Sequence, residues 1–331
     1  MTGPLHDRSI LVTGATGFIG GALARSLALD HGANVVGTGR RTDEVIPSLE
    51  GTTVTLENAD LRDADRMREL VDGAEIVFHV AAWLGSDKPN SDPAHEINVT
   101  SVESLVKTAA AAGVKRFVQV STIGAYGVPP DSEITEEQAL DRSDRNDEYG
   151  RTKAEGEARA LSIARDLGLE LSIVRPGMVY GPGSWTWTAG MFDLVKKGVP
   201  TLLGPSDGHA SVVHIDDLME LLILAATEES AVHEAYNGVA EAVPWHRFFG
   251  SFGDLAGRKP KKLPMWLAGS LAALNQVLPL GLPLNKERIE HYKAKPVYSR
   301  AKTRALGWEP KISWDEGMRT SAAWLREIGK L

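Results

Sequence analysis

The stretch Ser9-Ile10-Leu11-Val12-Thr13-Gly14-Ala15-Thr16-Gly17-Phe18-Ile19-Gly20 decides the fold. Its first half is a short apolar run typical of a buried strand, and a helix-like segment follows from Phe18 to His31. The three glycines between them remove the Cβ atoms that would keep a pyrophosphate away from the backbone. The helix offers unpaired N–H groups and a positive dipole end. This strand–turn–helix pattern predicts a dinucleotide-binding loop in preference to a plain glycine-rich turn.

Composition narrows the class of protein. The chain has 331 residues, which suits one large domain or two unequal ones, and its net charge of −8 without a basic stripe argues against a nucleic-acid partner. Cysteine is absent, so we expect no disulfide, no thiolate nucleophile and no metal site. The first eight residues lack the apolar core of a signal peptide, and we therefore expect a cytoplasmic protein.

Strand-like and helix-like segments alternate through the first half of the chain. The strands are short, β-branched and apolar throughout, as in strands buried on both faces: Ile10–Thr13, Asn34–Gly37, Thr53–Glu57, Ile76–Val80, Phe117–Ser121 and Leu171–Arg175. The helical patterns between them cover Gly20–His31, Asp63–Val71, Pro93–Ala112 and Asp147–Leu167. Such alternation predicts an α/β fold with a Rossmann-type, doubly wound parallel sheet, which binds ligands beyond the carboxyl ends of its strands.

The alternation stops after Gly181, where proline, glycine and tryptophan become frequent. We predict a dinucleotide-binding domain over residues 1–180 and a smaller lobe, mainly for substrate, over 181–331. Ser211–Ala226 looks like a strand running into a helix and is expected to return to the main sheet.

An apolar segment at 263–284 leaves two readings open. Three prolines bracket or break it, and its uninterrupted part is too short to span a bilayer. It is either a packed helix of the second lobe, or a lid over an apolar substrate or weak membrane-surface contact.

The end of the second strand bears on the choice of cofactor. NAD sites carry an acidic residue here for the ribose 2′-hydroxyl, but this chain has Gly39 followed by Arg40 and Arg41. Guanidinium groups suit a 2′-phosphate, so we expect NADP, with NAD as the alternative. Asp60 and Leu61 end the third strand, where the aspartate is expected to contact adenine, to cap the next helix, or to do both.

Tyr149 and Lys153 lie four residues apart, on one face of a predicted helix. A nearby ammonium would favour the phenolate and let the tyrosine act as a general acid/base. Ser121-Thr122 follows the fifth strand, where a hydroxyl can orient a substrate oxygen.

Together these motifs resemble the extended short-chain dehydrogenase/reductase family, also called the NAD-dependent epimerase/dehydratase family. The resemblance runs from about Ser9 to Pro310 and includes the glycine loop, His79-Val80-Ala81-Ala82, Asn98-Val99, Ser121-Thr122, Tyr149/Lys153 and Arg175-Pro176-Gly177. More loosely, Pro264-Met265-Trp266-Leu267 is similar to the dihydroflavonol reductase and 3β-hydroxysteroid dehydrogenase branch.

The resemblance implies a role for each matching residue. Tyr149 would be the general acid/base, Lys153 would lower its pKa and bind the nicotinamide ribose, and Thr122 would orient the substrate; His79 is expected to be structural. Expected at the cofactor are Gly14, Thr16, Gly17, Phe18, Ile19, Gly20, Arg40, Arg41, Asp60, Leu61, Val80, Ala81, Ala82, Asn98, Ser121, Tyr149, Lys153, Pro176 and Val179.

Departures from the family pattern point away from nucleotide sugars. Met178 stands where those members carry asparagine, and Gly208-His209-Ala210-Ser211 lacks their arginine. Bulky residues replace the polar ones, and we expect substrate contacts from Trp83, Thr122, Tyr126, Met178 and Trp185, although each tryptophan could simply pack the second lobe.

The sequence thus predicts an NADP(H)-dependent reductase or dehydrogenase that interconverts a carbonyl and an alcohol on a hydrophobic or aromatic small molecule. The alternatives are a sugar or nucleotide-sugar epimerase with tightly bound NAD(P), and a cofactor-binding protein without catalysis. The family resemblance also implies a homodimer formed through the helices at Pro93–Ala112 and Asp147–Leu167.

Overall fold

Parallel strands form the centre of the molecule. The computed structural model describes residues 3–42, 45–85, 93–129, 132–143, 147–277 and 286–331. Seven strands make one sheet: β1 (Ser9–Thr13), β2 (Asn34–Gly39), β3 (Thr55–Asn58), β4 (Ile76–His79), β5 (Arg116–Val120), β7 (Glu170–Pro176) and β11 (Ala235–Gly238). Their order is β11-β7-β5-β4-β1-β2-β3, and every neighbouring pair is parallel. The predicted α/β fold with a Rossmann-type parallel sheet is confirmed.

Helices cover both faces of this sheet. The described α-helices are α1 (Phe18–Leu29), α2 (Ala64–Val71), α3 (Pro93–His95), α4 (Ser101–Ala111), α5 (Glu148–Leu167), α6 (Met191–Lys197), α7 (Ile215–Thr227), α8 (Trp245–Ala256), α9 (Met265–Val277), α10 (Lys286–Lys293), α11 (Ala301–Ala305) and α12 (Trp314–Glu327). The buried cores place α1 and α7 on one face and α2, α4 and α5 on the other. π-Helical turns cover Glu96–Thr100 and Trp185–Gly190.

The predicted strands and helices of the first half are present, with ends that differ by a few residues. The largest difference lies in Pro93–Ala112, which is divided by the π-helical turn rather than continuous. In Ser211–Ala226 the strand does not join the main sheet, since β10 (His209–His214) pairs with β8 (Met178–Tyr180) and β12 (Glu241–Pro244). The helix α7 does pack on the main sheet, and the strand that joins it is β11. The division near residue 180 stays a prediction.

The second lobe is rich in aromatic side chains. Besides the three-stranded sheet it contains β9 (Pro200–Leu203) paired with β13 (Lys261–Leu263), while β14 (Val297–Tyr298) pairs with β6 (Glu133–Ile134). Trp314 is fully buried and stacks on Phe248, with ring centroids 5.1 Å apart. Several tryptophans therefore pack this lobe.

Part of the apolar segment at 263–284 can be placed. Residues 265–277 form α9, whereas residues 278–284 lie outside the described residues. Within the described parts of the chain, no helix has both the length and the apolar character needed to cross a membrane.

Helix α5 is packed very closely against the π-helical turn at Glu96–Thr100. A Cβ built at Gly156 would lie 2.0 Å from the carbonyl oxygen of Asn98, so the helix meets the π-helical turn at a distance that only glycine permits. Helix α8 offers a comparison, because nothing lies within 4 Å of a Cβ built at Gly250.

We predict opposite effects of alanine at these two glycines. Gly156→Ala should lower the free energy of unfolding by about 1–3 kcal/mol through overpacking, despite alanine's higher helix propensity. Gly250→Ala should leave stability unchanged or raise it by up to about 1 kcal/mol. Urea unfolding of both variants measures the difference, and equal stabilities would contradict the packing described here.

Candidate active site

The glycine loop is shaped to let a ligand approach the backbone. Gly14 has a φ of +74°, and a Cβ there would lie 2.9 Å from the backbone N of Ala81. A Cβ at Gly20 would lie 2.2 Å from the carbonyl oxygen of Gly14, so this glycine lets α1 close on the loop. Gly17 caps α1 without a side chain, and no acidic residue occupies the first turn. The helix N-terminus therefore keeps donors and positive dipole for a pyrophosphate, and the loop fits a dinucleotide.

Thr13 and His79 hold the next strand against this loop. The Thr13 hydroxyl accepts hydrogen bonds from the backbone N–H groups of Val80 (3.1 Å) and Ala81 (3.2 Å). Its own proton is then directed to Nδ1 of His79, 2.9 Å away, which leaves the proton of the neutral ring on Nε2. Burial, followed by the charge of Lys153, lowers the pKa of His79 to about 3. The neutral, buried ring of His79 therefore has a structural role, since its hydrogen bond with Thr13 joins β4 to β1.

Asn98 has a structural task that the sequence analysis did not predict. Its side chain is 2% exposed; it accepts a hydrogen bond from the backbone N–H of Trp83 (2.8 Å) and donates to the carbonyl of the same residue (3.1 Å). It also donates to the Thr152 hydroxyl, 3.0 Å away. Through these contacts Asn98 positions the segment after β4, and its predicted contact with the cofactor stays a prediction.

The end of β2 has no room for the acidic residue of an NAD site. A Cβ at Gly39 would lie 2.3 Å from the Thr16 hydroxyl oxygen, so the glycine loop itself occupies that direction. Arg40 and Arg41 follow and are exposed. The carboxylate of Asp60 accepts hydrogen bonds from Nε (2.9 Å) and Nη2 (2.7 Å) of Arg62.

Arg62, together with the charge of Arg40, lowers the pKa of Asp60 to about 2. Asp60 therefore stays ionised and bound to Arg62, and the predicted alternative of a helix cap is wrong, because Asp63 caps α2 instead. Leu61 is half-buried beside the core under α2 and α4.

Thr122 and Tyr149 meet at the carboxyl edge of the sheet. Thr122 follows β5, and its hydroxyl accepts the N–H of Gly124 (3.1 Å). The hydroxyl proton of Thr122 is directed to Tyr149, near the start of α5, and this hydrogen bond lowers the pKa of Tyr149. Burial has the larger effect and raises that pKa to about 12. No effect of Lys153 on this pKa is present in the protein alone, and the expectation that Lys153 lowers the pKa of Tyr149 stays a prediction.

The reason is the position of the Lys153 ammonium. Lys153 is 2% exposed, and its Nζ donates to the carbonyl oxygen of Val120, 2.6 Å away, at the end of β5. Burial lowers the pKa of Lys153 to about 8, and the negative charge of Glu157 opposes this change. The amine thus remains protonated near neutral pH, one helical turn below the Tyr149 backbone.

Glu157 belongs to a buried network that the sequence analysis missed. Nε of Arg175 lies 3.1 Å from both carboxylate oxygens of Glu157, and its Nη1 donates to the hydroxyl of Tyr126 (2.5 Å). Tyr126 in turn donates to Oδ1 of Asn237, 2.9 Å away on β11. The Glu157 signal was available, because it continues the i, i+4 spacing of Tyr149 and Lys153, and a charge on buried β7 requires a partner.

Tyr126 is consequently not an open substrate contact. Its side chain is 4% exposed and its hydroxyl is held by Arg175 and Asn237. The prediction that it binds substrate is corrected to a place in this buried network.

Unsatisfied polar atoms lie beside the site. Among the described residues, the Ser121 hydroxyl and Nε2 of His79 are buried without a hydrogen-bond partner, as are both polar atoms of the Gln119 side-chain amide. Gln119 pairs in register with His79 on the neighbouring strand. Buried polar atoms of this kind usually find partners, so they fit a site that receives a polar ligand or water.

The remaining predicted residues lie around the carboxyl edge, with different exposures. Trp83 and Met178 are half-buried, and Met178 packs on the aromatic core of the second lobe. Pro176 and Val179 are buried, so Val179 can reach a cofactor only through its backbone. Trp185 is 62% exposed and lies edge-on to Trp324 of α12, with centroids 5.7 Å apart.

The backbone is closely packed at Gly208, in the stretch where the sequence analysis finds no arginine. A Cβ at Gly208 would lie 2.1 Å from the carbonyl oxygen of Tyr292. The chain therefore cannot carry a side chain there without moving α10.

Comparisons with known proteins agree with this geometry. The chain is 26% identical over 340 residues to UDP-glucose 4-epimerase of Vibrio cholerae, covering 95% of this chain and 94% of that protein. It is 28% identical over 336 residues to 3 beta-hydroxysteroid dehydrogenase/Delta 5-->4-isomerase of Mycobacterium tuberculosis, covering 93% and 88%. The crystal structure of gox2253 matches with a TM-score of 0.83 at 26% identity, over 98% of this chain and all of that one.

A family model describes the same relationship. The model of the NAD dependent epimerase/dehydratase family matches residues 10–237, which include the glycine loop, Thr122, Tyr149, Lys153 and most of the strand β11. Its members and relatives are NAD-dependent oxidoreductases, epimerases and dehydratases of the extended short-chain dehydrogenase/reductase type. The chain is an enzyme of the NAD dependent epimerase/dehydratase family.

Proposed function

We propose that this enzyme is an NADP(H)-dependent reductase or dehydrogenase that interconverts a carbonyl and an alcohol on a hydrophobic or aromatic small molecule. The observation that supports it most directly is the contact between Thr122 and Tyr149 above the buried ammonium of Lys153. Two hydroxyls and a cation then surround one point at the carboxyl edge of the sheet, where ligands of such folds bind.

Each side chain has one part in the reaction. When bound, the reduced nicotinamide supplies a hydride to the carbonyl carbon. The Tyr149 hydroxyl donates its proton to the carbonyl oxygen, and the high pKa of that hydroxyl keeps the proton available at neutral pH. With substrate bound, Thr122 turns its hydroxyl proton from Tyr149 to the same oxygen, and Lys153 holds the ribose and favours the phenolate that remains on Tyr149.

The preference for NADP rests on the end of β2. Gly39 leaves no carboxylate to bind a ribose 2′-hydroxyl or to repel a phosphate. Arg40 and Arg41 are exposed beside this position, whereas Arg62 is already bound to Asp60. Hydrogen bonds between guanidinium and phosphate groups are charge-assisted, so the ribose 2′-phosphate of NADP is a suitable ligand for these two arginines.

The apolar substrate class rests on the second lobe. Met178, Trp83 and the excluded side chain at Gly208 leave a nucleotide diphosphate without its usual polar partners. The relative from Mycobacterium tuberculosis carries the name of a hydroxysteroid dehydrogenase, which has an apolar substrate. The relative from Vibrio cholerae is named as an epimerase, so an epimerase with tightly bound NAD(P) remains the second candidate.

We also propose a homodimer. Helices α4 and α5 pack beside each other on one face of the sheet and offer the surface that the sequence analysis predicts.

The first prediction concerns Tyr149. Tyr149→Phe should reduce turnover at least a thousandfold, since general acid/base catalysis typically contributes about 10²–10⁴-fold and the proton here has no substitute. NADPH binding by fluorescence should stay within about twofold, because the ring is retained. Aryl ketones, alicyclic ketones and hydroxysteroids form the substrate panel.

Tyr298→Phe is the matched control, as it removes the hydroxyl of a half-buried tyrosine on β14, outside the catalytic group. It should keep wild-type turnover. Full turnover by Tyr149→Phe would contradict the assignment, whereas consumption of UDP-glucose without net change in nicotinamide absorbance would support the epimerase.

The second prediction concerns the energetic effect of burying Lys153. Its pKa falls from 10.5 to about 8 on folding, which corresponds to roughly 3 kcal/mol of destabilisation at neutral pH. Between these two pH values the unfolded chain holds more protons, so stability rises with pH. Lys153→Met should therefore be inactive but more stable than wild type at pH 7. The difference between the two free energies of unfolding should narrow toward pH 10.

Denaturant unfolding at several pH values measures this difference. The exposed Lys107 on α4 provides the control, and Lys107→Met should show no pH-dependent difference from wild type. A Lys153→Met variant that is less stable at pH 7 would be at odds with the burial penalty.

The third prediction concerns the cofactor. Arg40→Ser/Arg41→Ser should weaken NADPH binding about tenfold or more and leave NADH binding unchanged, because each lost charged hydrogen bond contributes about 1.5–3 kcal/mol. Arg62→Ser serves as the control and should change neither NADPH binding nor NADH binding strongly. Equal loss of NADPH and NADH would count against a 2′-phosphate site.

A further inference from the structure

In the described structure, the outer face of helix α9 carries no charged side chain and is not covered by another part of the protein. The thirteen residues of this helix, Met265–Val277, contain no Asp, Glu, Lys, Arg or His. On the inner side, Ala268 and Ala272 are buried against Leu203 and Ile289. On the outer side, Trp266 is 73% exposed and Leu274 is 44% exposed. The outer side also carries Ser270, but Trp266 and Leu274 are two large apolar side chains exposed on one helix without charges, so this face indicates a further contact.

A basic cluster lies directly before this helix. Arg258-Lys259-Pro260-Lys261-Lys262 places four positive charges in five residues, in a chain whose net charge is −8. All four side chains are exposed. Arg258 donates to the carbonyl oxygen of Lys196 (2.9 Å), which brings the cluster beside Lys196 and Lys197 at the end of α6. In the described part of the chain, none of the four forms an ion pair with an acidic side chain.

The basic cluster and the exposed tryptophan belong to one rigid block. Strand β13, Lys261–Leu263, pairs with β9, and α9 begins two residues after it. Trp266 therefore lies next to these lysines, regardless of which ligand or protein surface contacts this region. Tryptophan with flanking lysines is the combination that favours a membrane–water interface, where the ring lies at the headgroups and the ammonium groups reach lipid phosphates.

We propose that the α9 face, formed by Lys259, Lys261, Lys262, Trp266 and Leu274, binds an anionic membrane surface. A second copy of this chain is a poorer occupant, because a two-fold contact would bring one basic cluster against the other. Lipid phosphates supply the opposite charge, and their acyl boundary accepts the two apolar side chains. This inference concerns binding alone and does not depend on the proposed reaction.

The full chain with vesicles provides the test. Sedimentation with equimolar phosphatidylcholine and phosphatidylglycerol should capture the protein, whereas phosphatidylcholine alone should capture little. Raised salt should weaken the binding. Lys261→Gln/Lys262→Gln should lower the partition coefficient roughly twenty- to thirtyfold, at about fivefold for each positive charge near the surface. Trp266→Ser/Leu274→Ser should lower it tenfold or more.

Two matched variants control for charge and for apolar surface. Lys115→Gln/Lys311→Gln removes the same charge elsewhere, and Val297→Ser removes another exposed apolar side chain (54% exposed). Both should bind vesicles as wild type does. Equal binding to the two vesicle types, or equal loss in the controls, would overturn the proposal. Self-association that is abolished by Trp266→Ser/Leu274→Ser, without vesicle binding, would assign the face to a second copy instead.

Discussion

A buried ammonium group constrains most of the site. Lys153 is protonated near neutral pH although it is 2% exposed, and among the described residues the carbonyl of Val120 and the charge of Glu157 compensate it. Such a charge is tolerated only where helix and sheet approach closely and hold their polar groups in place. The glycine at 156 permits that approach, and Arg175 holds the Glu157 carboxylate. The packing of α5 therefore also determines the positions of the polar side chains near its N-terminus.

Local patterns made the first half of the fold predictable. The glycine loop and the buried strands follow from spacings within a few residues, and their periodicities correspond directly to the structure. The same holds for Tyr149 and Lys153, whose four-residue spacing places them on one helix face. The family membership inferred from these motifs is confirmed by the match over residues 10–237. The functional roles of the individual residues stay predictions.

Contacts between segments that lie far apart in the chain could not be predicted from the sequence. Tyr126 looked like a substrate residue from its position after Thr122, but its hydroxyl is bound to Asn237, 111 residues further along the chain. The hydrogen bonds of Asn98 to the backbone of Trp83 were likewise not predicted. The strand β11 was missed because its four residues follow an irregular region and carry no distinctive pattern. In each case a partner that only folding brings near determines the role.

The second lobe differs in character from the parallel sheet. Its core is aromatic, and at Gly208 its backbone lies close to the carbonyl of Tyr292. A reductase and an epimerase would share Thr122, Tyr149 and Lys153, and they differ in where the hydride ends. The most direct measurement uses reduced cofactor labelled with deuterium at the transferred position, together with the carbonyl compound that the enzyme turns over. A reductase should release alcohol with one deuterium in each molecule, whereas a product without deuterium and a cofactor that keeps its label would contradict this function.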